Sequence, residues 1–231
     1  MALCEMHLNT GGALGKMTSF MAIVPEGKNG PYPVLYLLHG LSDDHTAWAR
    51  RTSLERYVQN IPLMVVMPNG ERSFYTDSAS NAQAAFETFL TRDLIGFVDS
   101  AFHTHAARDG RAVAGAGVSH SGAVAFASQP INPDWSSRDE WVFLFGENPA
   151  GSDNDVFALA ERCDPATRPA LRIDCGVDDF LIEDNRRFHA HLNALGCAHE
   201  YAEPPGGHDW GYWDTHIQDT IAFVARALGI G

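Results

Sequence analysis

The sequence predicts an α/β fold organised around a mostly parallel sheet. Short, continuous apolar runs such as 33–39 (PVLYLLH) and 63–67 (LMVVM) have the length and composition of strands buried on both faces. Segments of helical period alternate with these runs along the whole chain. No linker, internal repeat or low-complexity stretch interrupts the alternation, so residues 1–231 read as a single domain.

Taken in order, residues 18–24 (TSFMAIV) and 33–39 are strands separated by the turn PEGKNGP. Residues 52–60 form a short helix with Leu54, Tyr57 and Val58 on one side, and the strand 63–67 is stopped by PNG. The longest helical pattern covers 84–102, where Phe86, Phe89, Leu90, Leu94, Phe97, Val98 and Phe102 recur at helical spacing. Strands follow at 111–115 (RAVAG) and 170–175 (ALRIDC). An amphipathic helix covers 184–195, ended by Gly196. An edge strand at 198–202 and a closing helix at 215–228 complete the chain.

Composition excludes several classes. A chain that is 45% hydrophobic and 10% aromatic buries a core and is not disordered. With 29 acidic against 16 basic side chains, the net charge of −13 argues against nucleic acid or an anionic membrane surface as partner. Cys4, Cys163, Cys175 and Cys197 show no C-x-x-C spacing, and Cys175, inside an apolar run, reads as a small buried thiol. The opening MALCEMHLNTGG lacks a basic region followed by an apolar one, and no apolar stretch approaches the roughly 18 residues of a membrane span. A cytoplasmic location is the corresponding expectation.

In parallel sheets the functional loops lie beyond the carboxyl ends of the strands. Four such loops carry unusual chemistry: Gly40-Leu41-Ser42, the segment from Ala116 to Gly122 (AGVSHSG), Gly176-Val177-Asp178-Asp179-Phe180, and the segment from Pro204 to Trp210 (PPGGHDW). The order Ser, Asp, His, each after a strand, suits nucleophilic acyl transfer. A serine hydroxyl needs an imidazole to take its proton, and the imidazole needs a carboxylate to fix its tautomer. Two backbone N–H groups must then face the developing oxyanion, here those of Leu41 and His120.

LLHGLSDDHTAW, VVMPNG, CGVDDFLIEDNRRF and PGGHDWGYW resemble the tributyrin-esterase and S-formylglutathione-hydrolase (esterase D-like) branch of the α/β-hydrolases, over almost the whole chain. The resemblance implies an α/β-hydrolase sandwich with a mostly parallel central sheet. It places the catalytic acid on Asp179, the histidine on His208 and the first oxyanion donor on Leu41. It further implies a cytoplasmic serine esterase or thioesterase acting on short acyl esters or S-acyl thioesters, without metal or cofactor. A homo-oligomer, dimer or tetramer, is compatible with the branch and is specified by no residue pattern.

The nucleophile region departs from the family's AGLSMGG-like elbow, and two placements fit. In one, Gly117–Gly122 (GVSHSG) is a variant elbow with Ser119 as nucleophile and HSGAVAFA opening the next helix. In the other, a deletion follows the strand RAVAG, and VSHSGAV corresponds to a later strand end resembling AASLSGAL. Ser119 is then no nucleophile, and the chain is a non-catalytic hydrolase-fold protein with a binding or structural role. Between Ser119 and Glu140 an elbow helix of about 10 residues, a strand of about 5 and two loops of about 4 barely fit. Pro130 and Pro133 interrupt regular structure there as well. Either a strand or the elbow helix is therefore missing. Recruitment of Ser121 is a third alternative.

Other conspicuous residues have structural readings. His39 shapes the oxyanion turn rather than moving protons. Asp43, Asp44 and His45 form a solvated turn, because three consecutive residues do not converge on one ion without a bent loop. His103 with His105, and His189 with His191, are two apart and share no helix face. Gly115-x-Gly117 lacks the third glycine of a dinucleotide fingerprint, where His120 stands. Trp48, Trp210, Tyr212 and Trp213 are core or cleft wall.

Overall fold

The strand VLYLL lies inside the first sheet, between two parallel neighbours, with all five of its residues buried. In the computed structural model of the protein, residues 1–26, 30–116 and 137–230 are described. The chain divides into two compact units, one of Met1–Ser119 with Trp213–Gly231 and one of His120–Tyr212.

The first unit holds β1 (Ala2–Asn9), β2 (Met17–Val24), β3 (Val34–Leu38), β4 (Met64–Pro68) and β5 (Arg111–Gly115) in the order β1-β2-β4-β3-β5. β4, β3 and β5 are parallel, with Val34 opposite both Met64 and Arg111. β1 and β2 form an antiparallel hairpin, and β2 runs antiparallel to β4 with Phe20 opposite Pro68. The sheet is therefore mixed, three parallel strands carrying an antiparallel edge.

Period-two alternation divides the core. Phe20, Ala22, Val34, Tyr36, Met64 and Val66 lie in one cluster with Phe86, Phe89, Leu94 and Val98. Those last four come from α3 (Phe86–Thr88), a π-helical segment (Phe89–Leu94) and α4 (Ile95–Ala101), which together occupy the long helical pattern at 84–102. Asp77 holds its start, accepting hydrogen bonds from the Thr88 backbone N–H (2.9 Å) and hydroxyl (2.5 Å). The alternate residues Leu35, Leu37, Val65 and Met67 are buried as well, so β3 and β4 are covered on both faces. α1 (Ala47–Arg51) lies at the end of β3, where Trp48 Nε1 donates to the Leu38 carbonyl at 3.0 Å. α2 (Leu54–Val58) is tied to the closing helix by Asp214, which accepts from Ser53 N–H (2.8 Å) and the Tyr57 hydroxyl (3.1 Å).

The second unit holds α5 (Arg138–Phe145), α6 (Val156–Arg162), β6 (Arg172–Asp174), α7 (Ile182–Ala194) and β7 (Glu200–Ala202). β6 and β7 pair in parallel, Ile173 opposite Tyr201, with α7 as their crossover. α8 (Trp210–Ala227) begins in this unit, and its turns from Trp213 onward belong to the first. It starts five residues before the expected position because Asp209 Oδ1 accepts from Gly211 N–H (2.8 Å) and Tyr212 N–H (3.0 Å), capping the first turn. Among the described residues no helix is long and apolar enough to cross a membrane.

Phe89 is fully buried where the π-helical segment meets the sheet core. Phe89→Ala is expected to cost about 3–5 kcal/mol of stability through lost transfer energy and a cavity. In urea titration this appears as a lower midpoint at an unchanged m-value.

Candidate active site

The loops that follow β6 and β7 are joined backbone to backbone. Cys175 N–H donates to the Ala202 carbonyl (3.2 Å), Val177 N–H to Pro204 (3.1 Å) and Asp178 N–H to Gly206 (3.0 Å). So close an approach needs glycine: a Cβ on Gly176 would stand 2.1 Å from the Gly206 carbonyl oxygen. Gly206 itself has φ 130°, and a Cβ there would meet the Tyr212 ring at 2.8 Å.

This junction brings together two of the predicted site residues, Asp179 and His208. Asp179 N–H closes a turn onto the Gly176 carbonyl (3.0 Å), and the Asp179 carbonyl accepts from Ile182 N–H (3.1 Å) at the entrance of α7. The Asp179 carboxylate is 6% exposed; its Oδ1 accepts from Leu181 N–H and its Oδ2 from His208 Nδ1, each at 2.9 Å. An ionised carboxylate only accepts, so the shared proton lies on Nδ1 and the neutral ring keeps its lone pair on Nε2. His208 remains partly exposed, with the Phe180 ring 4.6 Å from it, centroid to centroid, at 40°. Phe180 is 54% exposed beside it. Cys175, one residue before Gly176, is a free thiol that burial, followed by the Asp179 and Asp174 charges, pushes up to about 12. That is the inert buried thiol its apolar setting predicts.

In the first unit, Leu41 stands in the turn directly after β3, half-buried, and its backbone N–H meets no acceptor among the described residues. The turn is shaped by His39, 1% exposed. His39 Nδ1 lies 2.8 Å from the Gly40 carbonyl, and Nε2 accepts from Gly70 N–H at 2.9 Å. An acceptor at Nε2 leaves the proton on Nδ1, which donates to Gly40. Burial, the largest influence, lowers the His39 pKa. The ring is thus a neutral bracket between the turns after β3 and β4, in keeping with a shaping role. Tyr75 completes the bracket: its hydroxyl accepts from His39 N–H (2.9 Å) and donates to the His39 carbonyl (3.2 Å). Sequence reasoning missed Tyr75, whose signal is conformational: Phe74 and Tyr75 have φ of 52° and 58°, rare for aromatic residues. Asp44 accepts from the Thr46 N–H and hydroxyl, and His45 Nε2 lies 3.1 Å from Glu5, so both of these side chains have structural partners. Ser119, His120 and Ser121 lie outside the described residues.

Strand-end loops that pair a buried acid with a histidine on an α/β scaffold define the class of α/β-hydrolase-type esterases. The chain belongs to the family described as putative esterase, whose sequence model matches residues 11–224. It is 25% identical to an acetyl esterase of Caldicellulosiruptor saccharolyticus, over 92% of this chain and 94% of that protein. Among solved structures it resembles the fluorophosphonate-binding serine hydrolase FphF of Staphylococcus aureus, with TM-score 0.83, 25% identity and coverage of 96% and 98%. It also resembles the S-formylglutathione hydrolase FrmB of the same organism, with TM-score 0.80, 25% identity and the same coverages.

The His39 bracket has a pH signature. The unfolded chain takes up a proton near the ordinary value of 6.5, whereas the folded ring resists it. Its contribution is therefore complete above pH 6.5 and is lost as the pH falls toward the lowered folded value. Urea denaturation at a series of pH values should show a steeper acid loss for the wild type than for His39→Gln. Parallel profiles would remove His39 as the cause. His39→Ala, which orphans the buried Gly70 N–H, is expected to cost about 1–3 kcal/mol at neutral pH.

Proposed function

We propose that the protein is a serine carboxylesterase or thioesterase that cleaves short-chain acyl esters or S-acyl thioesters through an acyl-enzyme. The observation that carries this reading is the 2.9 Å contact between His208 Nδ1 and the buried Asp179 carboxylate. Asp179 orients His208 and stabilises its cationic form, and Nε2 takes the proton of the Ser119 hydroxyl as its oxygen attacks the acyl carbon. The Leu41 and His120 amides hold the oxyanion. Collapse of the tetrahedral species expels the alcohol or thiol, protonated by His208, and water then repeats the sequence to release the acid. The acetyl esterase relative supports a short acyl group, and the S-formylglutathione hydrolase neighbour supports a thioester as an alternative substrate. None of these steps calls for a metal or cofactor.

The test is hydrolysis of p-nitrophenyl acetate together with labelling by a fluorophosphonate and location of the adduct by mass spectrometry. Ser119→Ala and His208→Ala are each expected to lower kcat/KM on the order of 10⁴-fold, and Asp179→Asn similarly through the wrong imidazole tautomer. The adduct is expected on Ser119. A folded wild-type protein with neither turnover nor label would instead be a non-catalytic hydrolase-fold protein. Loss of both only in Ser121→Ala would move the nucleophile to Ser121.

A further inference from the structure

A second pair, Tyr212 and Asp174, links the segments that carry His208 and Asp179. Tyr212, in the first turn of α8, is 8% exposed, and its hydroxyl donates to Asp174 Oδ1 at 2.8 Å. Asp174 is the last residue of β6, and the Asp179 loop begins at the next residues, Cys175-Gly176. Its other oxygen lies 3.3 Å from Arg172 Nη2, so the acceptor is itself anchored. The Tyr212 ring also closes against Gly206, two residues before His208, at a distance that leaves no room for a Cβ. One side chain thus touches the histidine loop with its ring and the acid's strand with its hydroxyl. Burial, then the Asp174 charge, pushes the Tyr212 phenol far above its usual value, so it remains a donor at every working pH.

We propose that Tyr212 and Asp174 form a positioning strut that sets the distance between His208 and Asp179, acting through the two loops and touching no substrate. The proposal rests on the esterase reading for its kinetic consequence and on geometry alone for its structural one. With the strut intact, the Gly206-Gly207-His208 loop is fixed relative to the strand that leads to Asp179. Without the hydroxyl, the ring still fills its space but loses its hydrogen bond to Asp174 on β6. The His208 Nδ1–H then samples longer distances from Asp179. A weaker contact stabilises the imidazolium less.

The experiment compares Tyr212→Phe, Asp174→Ala and Asp174→Asn in the full chain, with circular dichroism and thermal melting confirming that each folds. Asn keeps an acceptor oxygen for the phenol, so Asp174→Asn serves as the conservative rescue. For Tyr212→Phe and Asp174→Ala, kcat for p-nitrophenyl acetate is expected to fall about tenfold with KM within twofold, a loss of catalytic alignment rather than of binding. The acid limb of the kcat profile should move to lower pH. Asp174→Asn should retain most of kcat and the wild-type limb. The downfield proton resonance of His208 Nδ1–H, identified by its loss in His208→Ala, should broaden or vanish in Tyr212→Phe and persist in Asp174→Asn. A Tyr212→Phe protein that keeps both the resonance and the wild-type pH limb overturns the strut. So does an Asp174→Asn protein as impaired as Asp174→Ala. If the wild type shows no turnover, the esterase reading fails while the resonance still decides the strut. Should Tyr212→Phe not fold, the comparison of the two Asp174 variants decides it.

Discussion

Burial of the Asp179 carboxylate is the constraint on which the described part of the second unit depends. An ionised carboxyl group withdrawn from water is costly unless donors replace the lost hydration. Here two donors do so from different directions, Leu181 N–H on Oδ1 and His208 Nδ1–H on Oδ2. The first is local and follows from the turn into α7. The second is remote in sequence, and it reaches Asp179 because the two strand-end loops share backbone hydrogen bonds and Gly176 meets Gly206 at their closest approach. The family motifs CGxxDFL and GGHDW thus have a physical content beyond their acid and histidine. Their glycines let two chains approach where side chains would hold them apart.

The first unit buries an imidazole under the opposite proton logic. His208 faces a carboxylate that stabilises its cationic form. His39 faces a carbonyl on one nitrogen and an N–H donor on the other, an arrangement that only the neutral ring satisfies. Protonation at Nε2 would set two donors against each other at 2.9 Å. The two histidines are equivalent in composition, and their partners alone separate a candidate base from a structural bracket. This is why residue type at a strand end is a weaker guide than the atoms surrounding it.

Much of this was legible from the sequence. The apolar runs at 33–39 and 63–67 became β3 and β4 because strands buried on both faces leave continuous hydrophobicity. Asp179 and His208 were singled out because short, specific motifs surround them, and the structure brings the two together. β1 was not anticipated. As an edge strand it keeps only Leu8 buried, and ALCEMHLN offers polar residues to solvent without a run to detect. The helices α5 and α6 also escaped notice, the first being a single apolar segment with weak periodicity and the second having no buried residue. The long helix was anticipated, but not the π-helical segment within it, since one added residue per turn leaves an apolar pattern of this length nearly unchanged. Tyr75 and the Tyr212–Asp174 pair were invisible because their roles depend on contacts across loops, which no spacing rule encodes.

The buried polar residues explain why chemistry gathers where it does. Five of the seven among the described residues follow strands: Thr10 after β1, His39 after β3, Ser73 and Thr76 after β4, and Asp179 after β6, while Thr18 lies within β2 and Thr104 between α4 and β5. A buried strand satisfies its own backbone through its neighbours, but the turn that leaves it must find donors and acceptors elsewhere. Side chains supply them: Thr10 bonds the Lys16 carbonyl, Ser73 the Gly70 carbonyl, His39 the Gly70 amide and Asp179 the Leu181 amide. Polar groups at strand ends are thus first a requirement of folding. At Asp179 the same requirement leaves one carboxylate oxygen facing outward from its own turn. A histidine from the neighbouring strand end meets that oxygen, and the result is an imidazole whose Nδ1 proton is already placed.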